Sequence, residues 1–373
     1  MSGRPLADAA SGLAAALGRE LDVTVVSALP DGVDPLRHGL AKRLTPLAVD
    51  GDAVDVYDGA LPAGFARLAA VECGGSDELL CRTALAYAAE PSRWPAIVHA
   101  FDARVAGVVA LAAARTDPSP GMPAPATVLS VHDAAGGDEL RAAIAAADRI
   151  VTPSPRWGDD LTAGAPLAAA TDKLRGIAGG IDVSRWNPRF DPALPARFDA
   201  ADRFGKAACK TALQRALGLP RRPRVPLVGV LDDVADDIDA AGVQLAVDRS
   251  SSDAILAHRI VGGADFLWIP SPMDPDRPNR LYCMRYGTIP IVPRAGGVGE
   301  TVVDFDEATA TGSAIVYDDG DPDAIRAALA RAARVYASPA MQPLIDRAMA
   351  FDLSWTSAAR HYTDVYRELL PAT

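Results

Sequence analysis

Short runs of β-branched residues alternate with alanine-rich stretches along most of the chain, and this alternation restricts the fold more than any other feature. Residues 6–17 keep apolar side chains at helical spacing, and 21–28 follow as a strand. Residues 96–100 read as a second, buried strand, 106–114 as a helix and 127–132 as a strand. Then come a helix over 140–147 and a strand over 149–154. β-α alternation of this kind predicts a parallel, doubly wound sheet.

The pattern breaks at Gly179-Gly180-Ile181-Asp182 and Trp186-Asn187-Pro188, and a Pro/Arg/Asp-rich stretch runs on to about Asp202. The domain boundary is placed there. Residues 206–217 form a strong helix closed by Gly218 and Pro220. Alternation then restarts, with strands at 225–231, 243–247, 266–270 and 288–292. Helices are predicted at 254–260, 279–286, 322–336, 339–351 and 355–370, with Pro339 suited to a first helical position. The division is therefore 1–180, 181–350 and a closing segment 351–373.

The chain has 373 residues, enough for two or three domains with a real core. Its formal net charge of -11 disfavours nucleic acid and gives no general help in holding an anionic ligand, which needs a local basic pocket. No run approaches the ~18 apolar residues of a membrane span, and the start lacks the pattern of a secretory signal. Four scattered cysteines, Cys73, Cys81, Cys209 and Cys283, suit neither a disulfide framework nor a zinc site. A cytoplasmic protein without membrane, nucleic acid or metal is expected.

Several segments carry a family resemblance. They include Gly180-Ile-Asp-Val-Ser-Arg-Trp-Asn-Pro, Gly205-Lys-Ala-Ala-Cys-Lys through Leu217-Gly-Leu-Pro, and Ala257-His-Arg-Ile-Val-Gly-Gly-Ala-Asp. Further ones are Leu281-Tyr-Cys-Met-Arg-Tyr-Gly-Thr-Ile-Pro, Gly296-Gly-Val-Gly-Glu-Thr-Val and Phe351-Asp-Leu-Ser-Trp. Ile97-Val-His-Ala-Phe-Asp, Val131-His-Asp and Ala147-Asp-Arg-Ile-Val-Thr-Pro-Ser-Pro match more loosely. In this order they resemble bacterial glycogen synthases of the starch synthase type. The resemblance implies a GT-B fold: two Rossmann-like domains facing across a cleft, acceptor side first and nucleotide-sugar side second. It also implies that the closing helix returns to the first domain. Fold does not fix function, which must be read from the site.

At the site the resemblance fails. The family's Lys-x-Gly-Gly-Leu loop aligns with Ser2, Arg4 and Pro5, and proline offers no N–H to an anion. A frayed terminus is the plainer reading of that start. Arg104 stands where the family has a histidine beside the donor sugar, and Ala103 where it has tryptophan. That arginine either pairs with a phosphate or is a solvated loop residue. His99 reads as a satisfied structural histidine.

In the second domain, Asp233 and Ile238 replace the Arg and Lys that neutralise the leaving ADP. They lie in an acidic run with Asp232, Asp236, Asp237 and Asp239, which reads as a solvated helix start or, less simply, as a metal-bridged diphosphate site. Like charges ~4 Å apart repel by about 4 kcal/mol at an effective dielectric near 20. The family's Glu-Pro-Cys-Gly-Leu segment becomes Asp274-Pro-Asp-Arg-Pro, so Asp276 adds charge, Arg277 replaces glycine and Pro278 removes a donor, ahead of Asn279. Gly296 and Gly297 remain. The interval from Leu231 to Phe266 holds little more than the ~30 residues of one βαβ unit, so the second sheet is expected to be short of a βα unit.

The site residues carried over are thus Asp274 and Arg104 for catalysis, and Asp233, Ile238, Arg277, Pro278, Asn279, Gly296 and Gly297 for the donor. The expected function is an inactive glycogen-synthase homologue that serves as a scaffold, binds glucan or regulates glycogen metabolism, with an α-glucan or a protein of that metabolism as partner. The alternative is an active glucosyltransferase using ADP-glucose, as substrate, with no cofactor in either case.

Overall fold

The computed structural model describes all residues except 1–3, 62–63, 91–92, 115–122, 133–136, 155–169, 232–241, 249–253, 271–278, 295–301, 319–321 and 371–373. The chain divides into two compact units. Unit 1 comprises residues 1–180 and 355–373, and unit 2 comprises 181–354.

In chain order, unit 1 has α1 (Arg4–Leu17), β1 (Thr24–Ala28), β2 (Ala41–Lys42), β3 (Leu47–Val49), β4 (Asp52–Val54), β5 (Val56–Ala60) and β6 (Arg67–Val71). It continues with α2 (Asp77–Ala88), β7 (Ile97–Phe101), α3 (Gly107–Ala113), β8 (Ala126–Ser130), α4 (Gly137–Ala146), β9 (Arg149–Thr152) and β10 (Leu174–Gly176). Strands β10-β9-β8-β7 form a fully parallel sheet. A second sheet, β1-β6-β5-β2, is mixed: β1 and β6 run parallel, while β5 is antiparallel to both β6 and β2. The doubly wound pattern thus holds for the later half of the unit, and residues 41–71 depart from it. There, short strands are joined by tight turns that a βαβ reading passes over. The β3–β4 hairpin turns at Asp50 and Gly51, with φ of 50° and 97°. An Asp-Gly pair supplies the two positive φ values that a two-residue hairpin turn needs.

Unit 2 contains α5 (Phe204–Ala216), β11 (Leu227–Val230), β12 (Gln244–Val247), α6 (Ala254–Gly263), β13 (Phe266–Trp268), α7 (Asn279–Arg285), β14 (Ile289–Pro293), β15 (Ile315–Tyr317), α8 (Pro322–Ala337) and α9 (Met341–Ala350). Its described strands form one parallel sheet in the order β12-β11-β13-β14-β15. Strands β11, β13, β14 and β15 are buried on both faces, as the apolar runs of a covered parallel sheet require, while edge strand β12 alternates buried and half-buried residues. Helix α9 begins at Met341, so Pro339 lies in the preceding turn and not in the first helical position. Helix α10 (Trp355–Leu369) belongs to unit 1, where it packs on Leu13, Leu17, Val128, Val151 and Ile177.

Unit 2 is tied together by two buried lysines on α5. Lys206 Nζ donates to Tyr286 O at 2.9 Å, to Thr288 Oγ1 at 2.8 Å and to Gly262 O at 3.4 Å. Gly262 and Tyr286 sit at the carboxyl ends of α6 and α7, where last-turn carbonyls lack intrahelical donors and the helix dipole favours a cation. Lys210 Nζ meets Asp265 Oδ2 at 2.6 Å and Val225 O at 2.7 Å, at the amino ends of β11 and β13. The close packing of α5 and α6 depends on Gly263, whose Cβ would lie 2.9 Å from Cys209 O. Trp186 is stacked between His258 and Tyr282, with ring centroids 3.8 and 3.6 Å away. Buried Asp191 accepts from His258 Nδ1 at 2.7 Å and from the Tyr286 hydroxyl at 2.5 Å.

Candidate functional site

In open parallel α/β sheets, ligands sit beyond the carboxyl ends of the strands. In unit 1 this edge is formed by the ends of β7, β8 and β9. β7 is followed by Asp102, whose φ of 107° and ψ of 157° fall in a region that is essentially glycine-only and costs about 1–3 kcal/mol. Its amide donates to Ser130 O at 3.0 Å, and its carboxylate accepts from the Ala103 amide at 2.6 Å. The backbone then enters a short 3-10 turn, Ala103–Val105, that carries Arg104.

Arg104 is not solvated alone. Its Nε and Nη2 lie 3.1 Å from the two carboxylate oxygens of Asp77, in the first turn of α2. Ser76 caps that helix by accepting from the Leu79 amide. The planar fork of arginine matches a carboxylate in this bidentate way. The pair is open to solvent, with the arginine side chain 71% exposed.

His99 lies three residues back on β7 and is half-buried. Its Nδ1 is 2.8 Å from the Tyr366 hydroxyl and its Nε2 2.8 Å from Ser130 Oγ. Ser130 in turn bonds the Tyr362 hydroxyl. Burial, together with nearby His132, pulls the His99 pKa down to about 3, so the ring is neutral. Both its nitrogens are thereby used on structure, and the reading of a satisfied structural histidine stands. His132, just past β8, packs on Phe101 with centroids 4.7 Å apart and is held neutral by burial, its pKa near 4. Its Nδ1 is buried without a partner. Neither Asp77 nor the strain at Asp102 was expected from the sequence. The acidic first turn behind a serine cap was the available signal for Asp77.

At the amino terminus, helix α1 begins at Arg4, so Arg4 and Pro5 are helical. Proline is tolerated in a first helical turn, where amides have no intrahelical acceptor. Ser2 lies outside the described residues.

In unit 2, Asp274, Asp233, Ile238, Arg277, Pro278, Gly296 and Gly297 all lie outside the described residues, as does the rest of the acidic run. Asn279 and Arg280 are described, both buried at the start of α7. Beyond β14, Arg294 Nε is 2.7 Å from Asp318 Oδ1 past β15. Trp268 Nε1 donates to the Tyr317 hydroxyl at 3.2 Å, closing the interior of the sheet below this edge. Among the described residues, no group of three or more His, Cys, Asp or Glu could hold a metal ion, and no helix is long and apolar enough to cross a membrane.

No family model matches the chain. It is 32% identical to the glycogen synthase of Anaeromyxobacter dehalogenans, over 98% of this chain and 96% of that protein. The chain belongs to the glycogen synthase family. A second member, from Burkholderia thailandensis, is 33% identical over 96% of this chain and 83% of its own length. The fold of this glycogen synthase homologue matches the catalytic domain of starch synthase IV from Arabidopsis thaliana, solved with ADP and acarbose. The TM-score is 0.80 at 22% identity, over 98% of this chain and 95% of that one. The homologue is thus an α/β protein of GT-B type, with a parallel sheet in each unit.

Proposed function

We propose that this glycogen synthase homologue does not transfer glucose and serves in glycogen metabolism as a scaffold, glucan-binding or regulatory protein. The observation that carries the reading is the Arg104–Asp77 pair: the family's histidine position holds an arginine whose fork is taken by a carboxylate. The sequence supports it at positions 233 and 238, where an aspartate and an isoleucine stand in place of two cations. Charge that develops on a leaving diphosphate is then unmet, and removal of one such group ordinarily costs ~10²–10³ in rate. Asp276 and Pro278 act in the same sense, one by charge and one by a missing N–H. The shortened second unit is part of the same proposal. The alignment with the Anaeromyxobacter protein runs over 459 residues, more than the 373 of this chain, and a single strand, β12, is described between β11 and β13.

A second reading, an active glucosyltransferase, draws support from one feature. Asp102 keeps a strained backbone at the end of β7, and such strain collects at working sites. In that case Arg104, Arg277 or Arg280 holds the donor phosphate and Asp274 the sugar.

Radiolabelled transfer from ADP-glucose to glycogen, with a genuine glycogen synthase as control, separates the two. The expected result is no transfer. Turnover that disappears in Asp274→Ala establishes the second reading. Calorimetric titration with ADP and with maltooligosaccharide adds a check. Retained glucan binding without nucleotide binding is the outcome the proposal requires.

A further inference from the structure

Helix α10 is fixed to unit 1 at three separate places. At its start, Trp355 fills a notch left by two glycines. A Cβ on Gly12 would lie 2.3 Å from Trp355 Cδ1, and one on Gly179 3.2 Å from Cη2. At its end, Glu368 Oε2 lies 3.1 Å from Arg149 Nε and 2.9 Å from Arg175 Nη2. Between these, Tyr366 and Tyr362 point their hydroxyls at His99 and Ser130. The seat is therefore not a plain apolar plug. Of the buried side chains on α10, the two largest are these tyrosines, and both end in the imidazole–hydroxyl relay.

The middle anchor is made with an uncharged ring. The elements packed on His99 present Tyr362 and Tyr366 from α10 and His132 past β8 as its titratable neighbours. Burial holds both phenols neutral, and a second imidazole only adds to the cost of a positive charge. The two groups bonded to the ring are hydroxyls, which cannot compensate a charge removed from water. In unit 2 the arrangement is the opposite: His258 faces the carboxylate of Asp191 at 2.7 Å. Of the other histidines, His38 and His361 are exposed.

We propose that α10 is an acid-releasable strap: protonation of His99 lifts the helix from unit 1 while unit 2 stays folded. This does not depend on whether the protein transfers glucose. In the released form His99 is wet and takes up a proton at its ordinary value near 6.5. Well below that value each pH unit shifts release about tenfold, and since the released ring is already half protonated at pH 6.5, pH 4.5 favours release about 50-fold over pH 6.5.

The test is hydrogen–deuterium exchange on the intact protein at pH 7.5, 6.5, 5.5 and 4.5, corrected for the intrinsic pH dependence of amide exchange. Amides of α10 should lose about 50-fold in protection between pH 6.5 and 4.5, while those of α6 and β13 hold theirs. Loss of protection in α10 and α6 together, or a flat profile for α10, overturns the proposal. His99→Gln retains hydrogen bonding without ionising and should abolish the pH dependence of α10. An unchanged profile in that variant also overturns it. If His99→Gln does not fold, Tyr366→Phe supplies the second arm. It removes the hydroxyl at Nδ1 and should lower α10 protection already at pH 7.5, and unaltered protection there counts against the strap.

Discussion

Arg104 and Asp77 meet fork to fork, with both contacts at 3.1 Å, and the pair joins the turn after β7 to the first turn of α2. Because it is exposed, it contributes only about 0–1 kcal/mol to stability. Its effect is on what the arginine is free to do. Releasing Arg104 by Asp77→Asn should move the urea midpoint little and leave glucose transfer undetectable. Arg104→His should do no better. Neither change restores the two cations whose absence at positions 233 and 238 is part of the proposal. Transfer that appears in either variant, followed with labelled ADP-glucose, would show that the Arg104–Asp77 pair alone blocks the reaction and that positions 233 and 238 do not.

Asp233→Arg combined with Ile238→Lys should raise ADP affinity in calorimetric titration without restoring turnover. The double change returns two positive charges for the diphosphate, but Pro278 still lacks its N–H. A double variant that binds ADP no better than the parent shows that these positions do not face the nucleotide.

Lys206→Met should destabilise unit 2 by about 2–4 kcal/mol. The change keeps the length of the side chain and leaves buried carbonyls at the ends of α6 and α7 without their donor. Urea unfolding followed by circular dichroism measures it. A loss below ~1 kcal/mol would mean that water enters and satisfies those groups.

Gly12→Ala should destabilise unit 1, by about 1–3 kcal/mol, because the added methyl lands on the Trp355 indole at 2.3 Å. Gly32→Ala is not an equivalent control, since its φ is 75°. Ala10→Ser, on the same helix, is a suitable one. Thermal unfolding should separate the two variants clearly.

Stability should fall as pH drops below about 6.5. Both His99 and His132 have folded-state pKa values depressed by burial, to about 3 and about 4. The unfolded chain therefore binds protons that the folded chain refuses, and each histidine costs up to about 1.4 kcal/mol per pH unit in that window. The stabilisation is fully present above pH 6.5 and is lost toward the depressed values. Urea titrations at pH 7.5 and 5.0 should show the drop, and it should shrink in His132→Asn. An unchanged midpoint would show that both rings are reached by water.

Much of the architecture could be read before any coordinates. The strands at 227–230 and 289–293 are short, mostly apolar runs buried along their whole length, so burial and sequence pattern point the same way there. The region from 41 to 71 could not be read by the same rule. Its strands are two to five residues long, and their partners are set by turns such as Asp50-Gly51. Arg104 and Pro278 were singled out by a family pattern laid over the sequence, and Pro278 lies outside the described residues. The partner of Arg104 was not legible. That Asp77 lies against Arg104 depends on where α2 packs, and no spacing in the sequence encodes it. The role of Lys206 was hidden for the same reason: a lysine on an amphipathic helix reads as surface until two other helices end on it.

The division of unit 1 into 1–180 and 355–373 has a consequence for synthesis. All of unit 2 leaves the ribosome between the body of unit 1 and the helix that covers Leu13, Val128 and Ile177. At about 5–20 residues per second, that face waits on the order of ten to thirty seconds for α10. Unit 2, whose residues are contiguous, can finish first. The nascent chain therefore passes through a stage with one complete half and one half carrying an open apolar seam, which is the interval when a chaperone has something to hold.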